Sequence, residues 1–184
     1  MANVTLLLAS NSADPPSEYE PPDALLGANY SVPLLWLSMF TPAEIVLWLS
    51  TIDPTVSYAA VVGERDACIN RSSDRIGKWS RLWPETFSTL GPTWTTFAEA
   101  RHEPFFAVWT EELAEMHESP EDWLQAFKMY LEALDRPDEP GFVDVLAQSY
   151  LAIEAGGKRL VGTSEGSIGL LCAGYSWGVK APWE

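Results

Sequence analysis

A chain of 184 residues, 47% hydrophobic and 20% charged, can bury a substantial core and is too apolar for a disordered one. Its 26 acidic against 11 basic residues leave a net charge of −15. A surface so negative disfavours nucleic acid and anionic membranes and steers basic proteins toward it.

The length fits one domain, 1–184. Val4 to Ala9 is an apolar run that predicts a strand. Residues 10–28 hold Pro15, Pro16, Pro21 and Pro22 among polar residues and predict a loop. Pro33 opens a short buried helix through Leu37, with proline at a plausible first position. Thr41-Pro42-Ala43-Glu44 joins an N-cap, a proline and a first-turn acid, so Ile45 to Leu49 reads as helix, with a strand almost as well supported. Val56 to Val62 reads as a buried strand ended by Gly63. From Glu64 to about Leu82, Cys68, Ile69, Ser72, Ile76, Trp79 and Trp83 recur at helical spacing. Arg65, Arg71, Arg75, Lys78 and Arg81 make this the one basic stretch, expected to pack against the acidic block of residues 103–144 or face solvent.

Phe105 to Trp109 predicts a short strand. Ser119-Pro120-Glu121-Asp122 is a strong helix start, and Trp123, Leu124, Phe127, Leu131 and Leu134 form its apolar stripe before Pro137. A further helix is expected over 141–155, closed by Gly156-Gly157. Leu160-Val161 and Gly169 to Tyr175 read as a closing hairpin. The order predicts an α+β fold, with strands near both termini forming a sheet and helices between them.

Gly162-Thr163-Ser164-Glu165-Gly166 matches G-x-S-x-G, the turn that presents the serine of many hydrolases. That turn leads from strand to helix and is followed by Asp and then His. Here more glycines follow, each costing a helix about 1 kcal/mol. Both histidines, His102 and His117, precede the serine. The segment therefore reads as a glycine-rich hairpin loop, and no catalytic residue is expected. Cys68 and Cys172 lack CxxC or metal-type neighbours and read as reduced core thiols, with a single disulfide also compatible. Two His and two Cys without clustering point to no metal site, and no phosphate- or dinucleotide-binding motif implies a cofactor. The N-terminal apolar run lacks a basic flank and is short for a signal peptide, and no run reaches membrane-span length, so a cytoplasmic protein is expected.

Charge is concentrated in residues 103–144, where twelve acids face only Lys128 and Arg136 and leave −10. Glu111, Glu115 and Glu118 would share one helical face, where like charges repel by a few tenths of a kcal/mol per pair. A plain solvated face accounts for such a stretch, and so does a docking surface for a basic partner. Nine tryptophans are many; most should fill the core and the rest anchor an interface.

A small, acidic, Trp-rich chain without a catalytic constellation resembles the immunity proteins of bacterial toxin systems. The opening MANVTLLLASN with Tyr30-Ser31-Val32-Pro33-Leu34-Leu35-Trp36 is also similar to a group of uncharacterised bacterial proteins. The first resemblance implies a non-enzymatic protein that occludes the active cleft of a cognate toxin, a nuclease being the natural partner because its groove is basic. Neither resemblance carries over a functional residue. The acidic block supplies the expected contacts: Glu111, Glu112, Glu115, Glu118, Glu121 and Asp122, with Trp94 or Trp109 as an exposed anchor. Two other readings stay open: an enzyme with a carboxylate and aromatic cleft acting on glycans, and an adaptor or structural subunit. The oligomeric state is left open.

Replacing Ser164 with Ala is expected to leave protection against the toxin nearly unchanged in a growth assay. A large loss would restore the hydrolase reading.

Overall fold

The computed structural model describes residues 3–16, 21–164 and 166–184. Its strands are β1 (Val4–Ser10), β2 (Ala24–Asn29), β3 (Ile45–Leu49), β4 (Ser57–Glu64), β5 (Phe105–Trp109), β6 (Leu151–Ile153), β7 (Leu160–Gly162) and β8 (Tyr175–Ser176). Its helices are α1 (Leu34–Leu37), α2 (Arg65–Leu82), α3 (Pro84–Glu99), α4 (Glu111–Ala114), α5 (Pro120–Ala133), α6 (Gly141–Gln148) and α7 (Ile168–Ala173). Leu6, Leu7, Leu8 and Ala9 of β1 are all buried, so this strand is covered on both faces. It lies inside an antiparallel six-stranded sheet of order β3-β4-β5-β1-β2-β8, with β3 and β8 at the edges. The fold is α+β, with strands from both ends of the chain in one sheet.

Three of the buried indoles make hydrogen bonds that tie elements together, as buried Trp side chains usually do. Trp36 Nε1 of α1 donates to Ala173 O of α7 at 2.8 Å, and Trp123 Nε1 of α5 donates to Ala59 O of β4 at 3.0 Å. Trp94 Nε1 of α3 donates to Ser72 Oγ of α2 at 3.0 Å. Cys68 and Cys172 are buried free thiols, and burial pushes both up to about 12.

Arg75 of α2 is fully buried. Its Nε and Nη2 bind the Asp135 carboxylate at 3.0 and 2.7 Å, and its Nη1 donates to Ser38 O at 3.0 Å and Phe40 O at 2.6 Å. The guanidinium thus satisfies carbonyls beyond the end of α1 and grips Asp135, the second residue past α5. The expected packing of the basic stretch against the acidic block is present here, at Asp135; Arg71 instead meets Glu44, outside that block, at 2.7 Å. The hydrogen bonds from Arg75 hold the Asp135 carboxyl below its ordinary value.

Several boundaries differ from the sequence expectation. β2 begins inside the stretch expected to be a loop to residue 28. Thr41 does cap a turn, with Glu44 closing the capping box, but only one 3-10 turn forms (Pro42–Glu44), and Ile45 is already extended at φ −67°, ψ 129°. Ile45 to Leu49 is therefore strand, with Trp48 turned inward between exposed Leu47 and Leu49. No element was expected between 84 and 104, where α3 runs through Pro92. α6 stops at Gln148, because Tyr150 adopts φ +55° and Leu151 to Ile153 pairs with Leu160 to Gly162. Gly156 and Gly157, at φ +108° and +73°, form the turn of that hairpin rather than a helix end. The expected pairing of 160–161 with 169–175 is replaced by this hairpin, by helix α7 with Ser167 as its N-cap, and by β8 pairing with β2.

Arg75→Met should cost about 3 kcal/mol at neutral pH, since it leaves buried carbonyls and a half-exposed carboxylate without their partner. A carboxyl held low when folded stabilises the protein above the ordinary aspartate value of 3.8 and ceases to do so as pH falls through the folded value. The deficit of the variant in urea unfolding should therefore narrow below about pH 4.

Candidate functional site

β5 runs into Thr110, whose Oγ1 donates to Ala59 O at 2.5 Å and receives Trp123 Nε1 at 3.2 Å. The chain then makes a single helical turn, α4, which places Glu111 under the connection between β3 and β4. The Glu111 carboxylate accepts from Ser50 Oγ at 2.5 Å, Thr51 N at 2.7 Å, Thr51 Oγ1 at 2.8 Å and Ile52 N at 3.3 Å. Ser50 Oγ in turn accepts from Asp53 N at 2.9 Å. Asp53 accepts from Thr55 Oγ1 at 2.7 Å and Thr55 N at 3.0 Å, bonds that hold its carboxyl below the usual range. The hairpin tip is thus tied down from below by one buried carboxylate.

The structure separates the six carboxylates expected to contact a partner. Glu111 is 1% exposed and Glu112 is 8% exposed; the latter accepts Val4 N at 2.7 Å and fixes the start of β1. Both serve the fold and neither stands free on the surface as the sequence suggested, although Glu111 lines from within the groove beside the hairpin tip. The shared face expected for Glu111, Glu115 and Glu118 does not exist, because α4 ends at Ala114. Glu115, Glu118, Glu121 and Asp122 are exposed. The last two stand on the first turn of α5, which Ser119 caps by accepting Asp122 N at 3.1 Å.

Between the hairpin tip and the turn ahead of α5 lies a groove of about 330 Å³ lined by Asp53, Val56, Tyr58, Glu115, His117 and Glu118 among others. Tyr58 closes it from within; burial pushes its hydroxyl well up, the Glu111 charge adds to this, and a hydrogen bond from Trp109 opposes it. The phenol therefore stays neutral. His117 lies against Trp123 at 5.0 Å between ring centres.

The expected aromatic anchors are also corrected. Trp94 and Trp109 are 0% and 1% exposed, held by Ser72 and beside Tyr58 respectively, so neither can touch a partner. Trp177 is the exposed tryptophan, at the opposite edge of the sheet from β3. Val56 is an exposed apolar residue of the groove lining, and Leu47, Leu49 and Ile52 on the same hairpin and Met116 on the turn ahead of α5 face solvent as well, each of these four at least half exposed. Sequence reading missed them because an unbroken apolar run such as Ile45 to Leu49 signals burial, not a free edge. A usable signal was the absence of Lys and Arg from the first 64 residues and from 102–127, which leaves the carboxylates of both segments without local compensation.

Ser164 is exposed on the connection from β7 to α7, so strand, turn and helix do occur in that order, contrary to the expectation of a hairpin loop. β7 belongs to the two-stranded sheet, however, and α7 is six residues long. His102 and His117 line other cavities, the first with Glu64, Arg65 and Asp66. Among the described residues no group of three His, Cys, Asp or Glu side chains is arranged to hold a metal ion, and no helix is long and apolar enough to cross a membrane. In comparisons with known proteins, no family model, curated protein or solved structure matches this chain.

Glu111→Ala should free the amides of Thr51 and Ile52, with hydrogen exchange there roughly tenfold faster or more, about the loss of one charged hydrogen bond. Unchanged exchange would mean that the hairpin tip holds its shape without the carboxylate.

Proposed function

We propose that this protein is a non-enzymatic, immunity-type binding protein that covers the basic cleft of a cognate bacterial toxin. One observation carries the reading. Asp53, Glu115 and Glu118 line one groove and stand exposed, and Glu121 and Asp122 are exposed on the adjoining first turn of α5; apolar Val56 in the groove, with Ile52 and Met116 on the same two segments, is open to solvent, and neither segment holds a Lys or Arg. An apolar centre with a single-sign rim is the arrangement that steers and then holds a protein of opposite charge. A nuclease fits best, since carboxylates can take the place of substrate phosphates in its groove. The glycan-enzyme reading gains less support: the groove holds carboxylates, but no tryptophan lines it to stack on a sugar.

Co-expression with neighbouring open reading frames tests the proposal. A toxic neighbour that this protein rescues and binds at nanomolar affinity or tighter is expected; no toxic neighbour and no complex would sink it. Replacing Glu115, Glu118, Glu121 and Asp122 together with Lys should slow association with that toxin roughly tenfold or more at low salt and flatten its salt dependence. An unchanged rate would remove this surface from the interface.

A further inference from the structure

β3 is an edge strand, and its outer side pairs with no other strand among the described residues. Its register with β4 runs from Ile45 opposite Val61 to Leu49 opposite Ser57, and Ser50 N continues it by donating to Val56 O at 2.9 Å. Hydrogen-bonded and non-hydrogen-bonded pairs alternate along an antiparallel ladder. Ser50, Trp48 and Val46 therefore bond inward to β4, while Leu47 and Leu49 turn their N–H and C=O groups to the open edge. The same two residues leave their side chains 63% and 58% exposed, and Ile52 at the hairpin tip is 60% exposed. Edge strands of soluble proteins are usually guarded by Lys, Pro or a bulge. β3 has none of these: its five residues are all apolar, and its ladder with β4 is regular.

We propose that an extended segment of the basic partner adds to β3 as a further antiparallel or parallel strand. Its main chain pairs with Leu47 and Leu49, its apolar side chains cover theirs, and its Lys or Arg side chains reach Asp53, Glu115 and Glu118 in the groove at the end of the hairpin. This deepens the toxin-binding reading and rests on it for the identity of the partner. Charge selects the occupant: each copy of this chain carries −15, and no Lys or Arg lies on the hairpin or the turn ahead of α5, so a second copy meets repulsion where a basic segment meets attraction. Strand addition supplies affinity through the backbone and specificity through alternate side chains.

The test uses the full chain and a fluorescent, end-capped peptide of alternating valine and lysine, about as long as a typical strand or slightly longer. It is expected to bind in an anisotropy titration, while a valine–glutamate peptide does not. Methylating the backbone nitrogens along one edge of the peptide should weaken binding at least tenfold. Leu47→Thr with Leu49→Thr should do the same while leaving the melting temperature little changed, because both side chains stand largely in solvent and threonine suits a strand. Equal binding by a glycine–lysine peptide, or no effect of methylation, would overturn the proposal. So would a stable dimer of the protein that the threonine variant dissolves, which would assign the edge to a second copy. If a toxin is found and binds the threonine variant as tightly as the wild type, strand addition fails and the toxin reading stands. If the peptide binds as described and no toxin exists, the edge stands and the toxin reading fails.

Discussion

One buried guanidinium holds together parts of the molecule that have little else in common. α1 is four residues long, too short to persist alone, and it carries Trp36 into the core. The chain leaves it with carbonyls pointing inward, where water cannot follow. Arg75 supplies the missing donors and spends its remaining ones on Asp135, just past α5. Taking a guanidinium out of water is expensive and is offset when each of its nitrogens finds an acceptor, a condition that this planar fork meets and a single ammonium could not. Through Trp36 the same anchor reaches α7, and beyond α7 the chain turns at Gly174 (φ +81°), whose missing side chain makes room for the Trp36 ring. Helices on one side of the sheet order and the last strand at its far edge thus depend on one side chain of α2.

Elements with their own local logic were legible in the sequence. The unbroken run of β1 and the capped, periodic stretch of α5 needed no tertiary information to be seen. α2 was equally readable, and its buried arginine could be seen as a basic residue on an apolar face without any hint of what it binds. Where local signals conflict with long-range pairing, pairing wins. The box from Thr41 to Glu44 is a sound helix start, yet β4 offers Ile45 to Leu49 a full ladder and the helix is abandoned after one turn. Tyr150 ends α6 by the same logic, taking a left-handed conformation so that the next three residues can pair. Gly91-Pro92 hides α3 because those residues normally interrupt helices, whereas here Gly91 lets Ile76 of α2 come close.

The candidate surface was half visible. Charge is additive along a sequence, so the acidic stretch could be counted. Position is not: Glu111 and Glu115 differ only in that one finds Ser50 and Thr51, about sixty residues away, and the other finds water. Trp94 and Trp109 were plausible anchors by residue type and are core by packing. The leucines of β3 carry the reverse lesson, since an apolar run on an edge strand has no signature apart from the sheet order itself.

The central place of β1 has a consequence for synthesis. Of its sheet, this strand is made before its neighbours and can find β2 at once, but its other neighbour, β5, begins only at Phe105. At ordinary translation speeds the wait is roughly 5 to 20 seconds. During that time the leucines of the first strand present an open apolar edge, and the sheet can close only by a long loop of chain returning to its start. The N-terminal hairpin is therefore the part of this protein that a nascent-chain chaperone would meet, and productive folding waits for the strand that ends at Trp109.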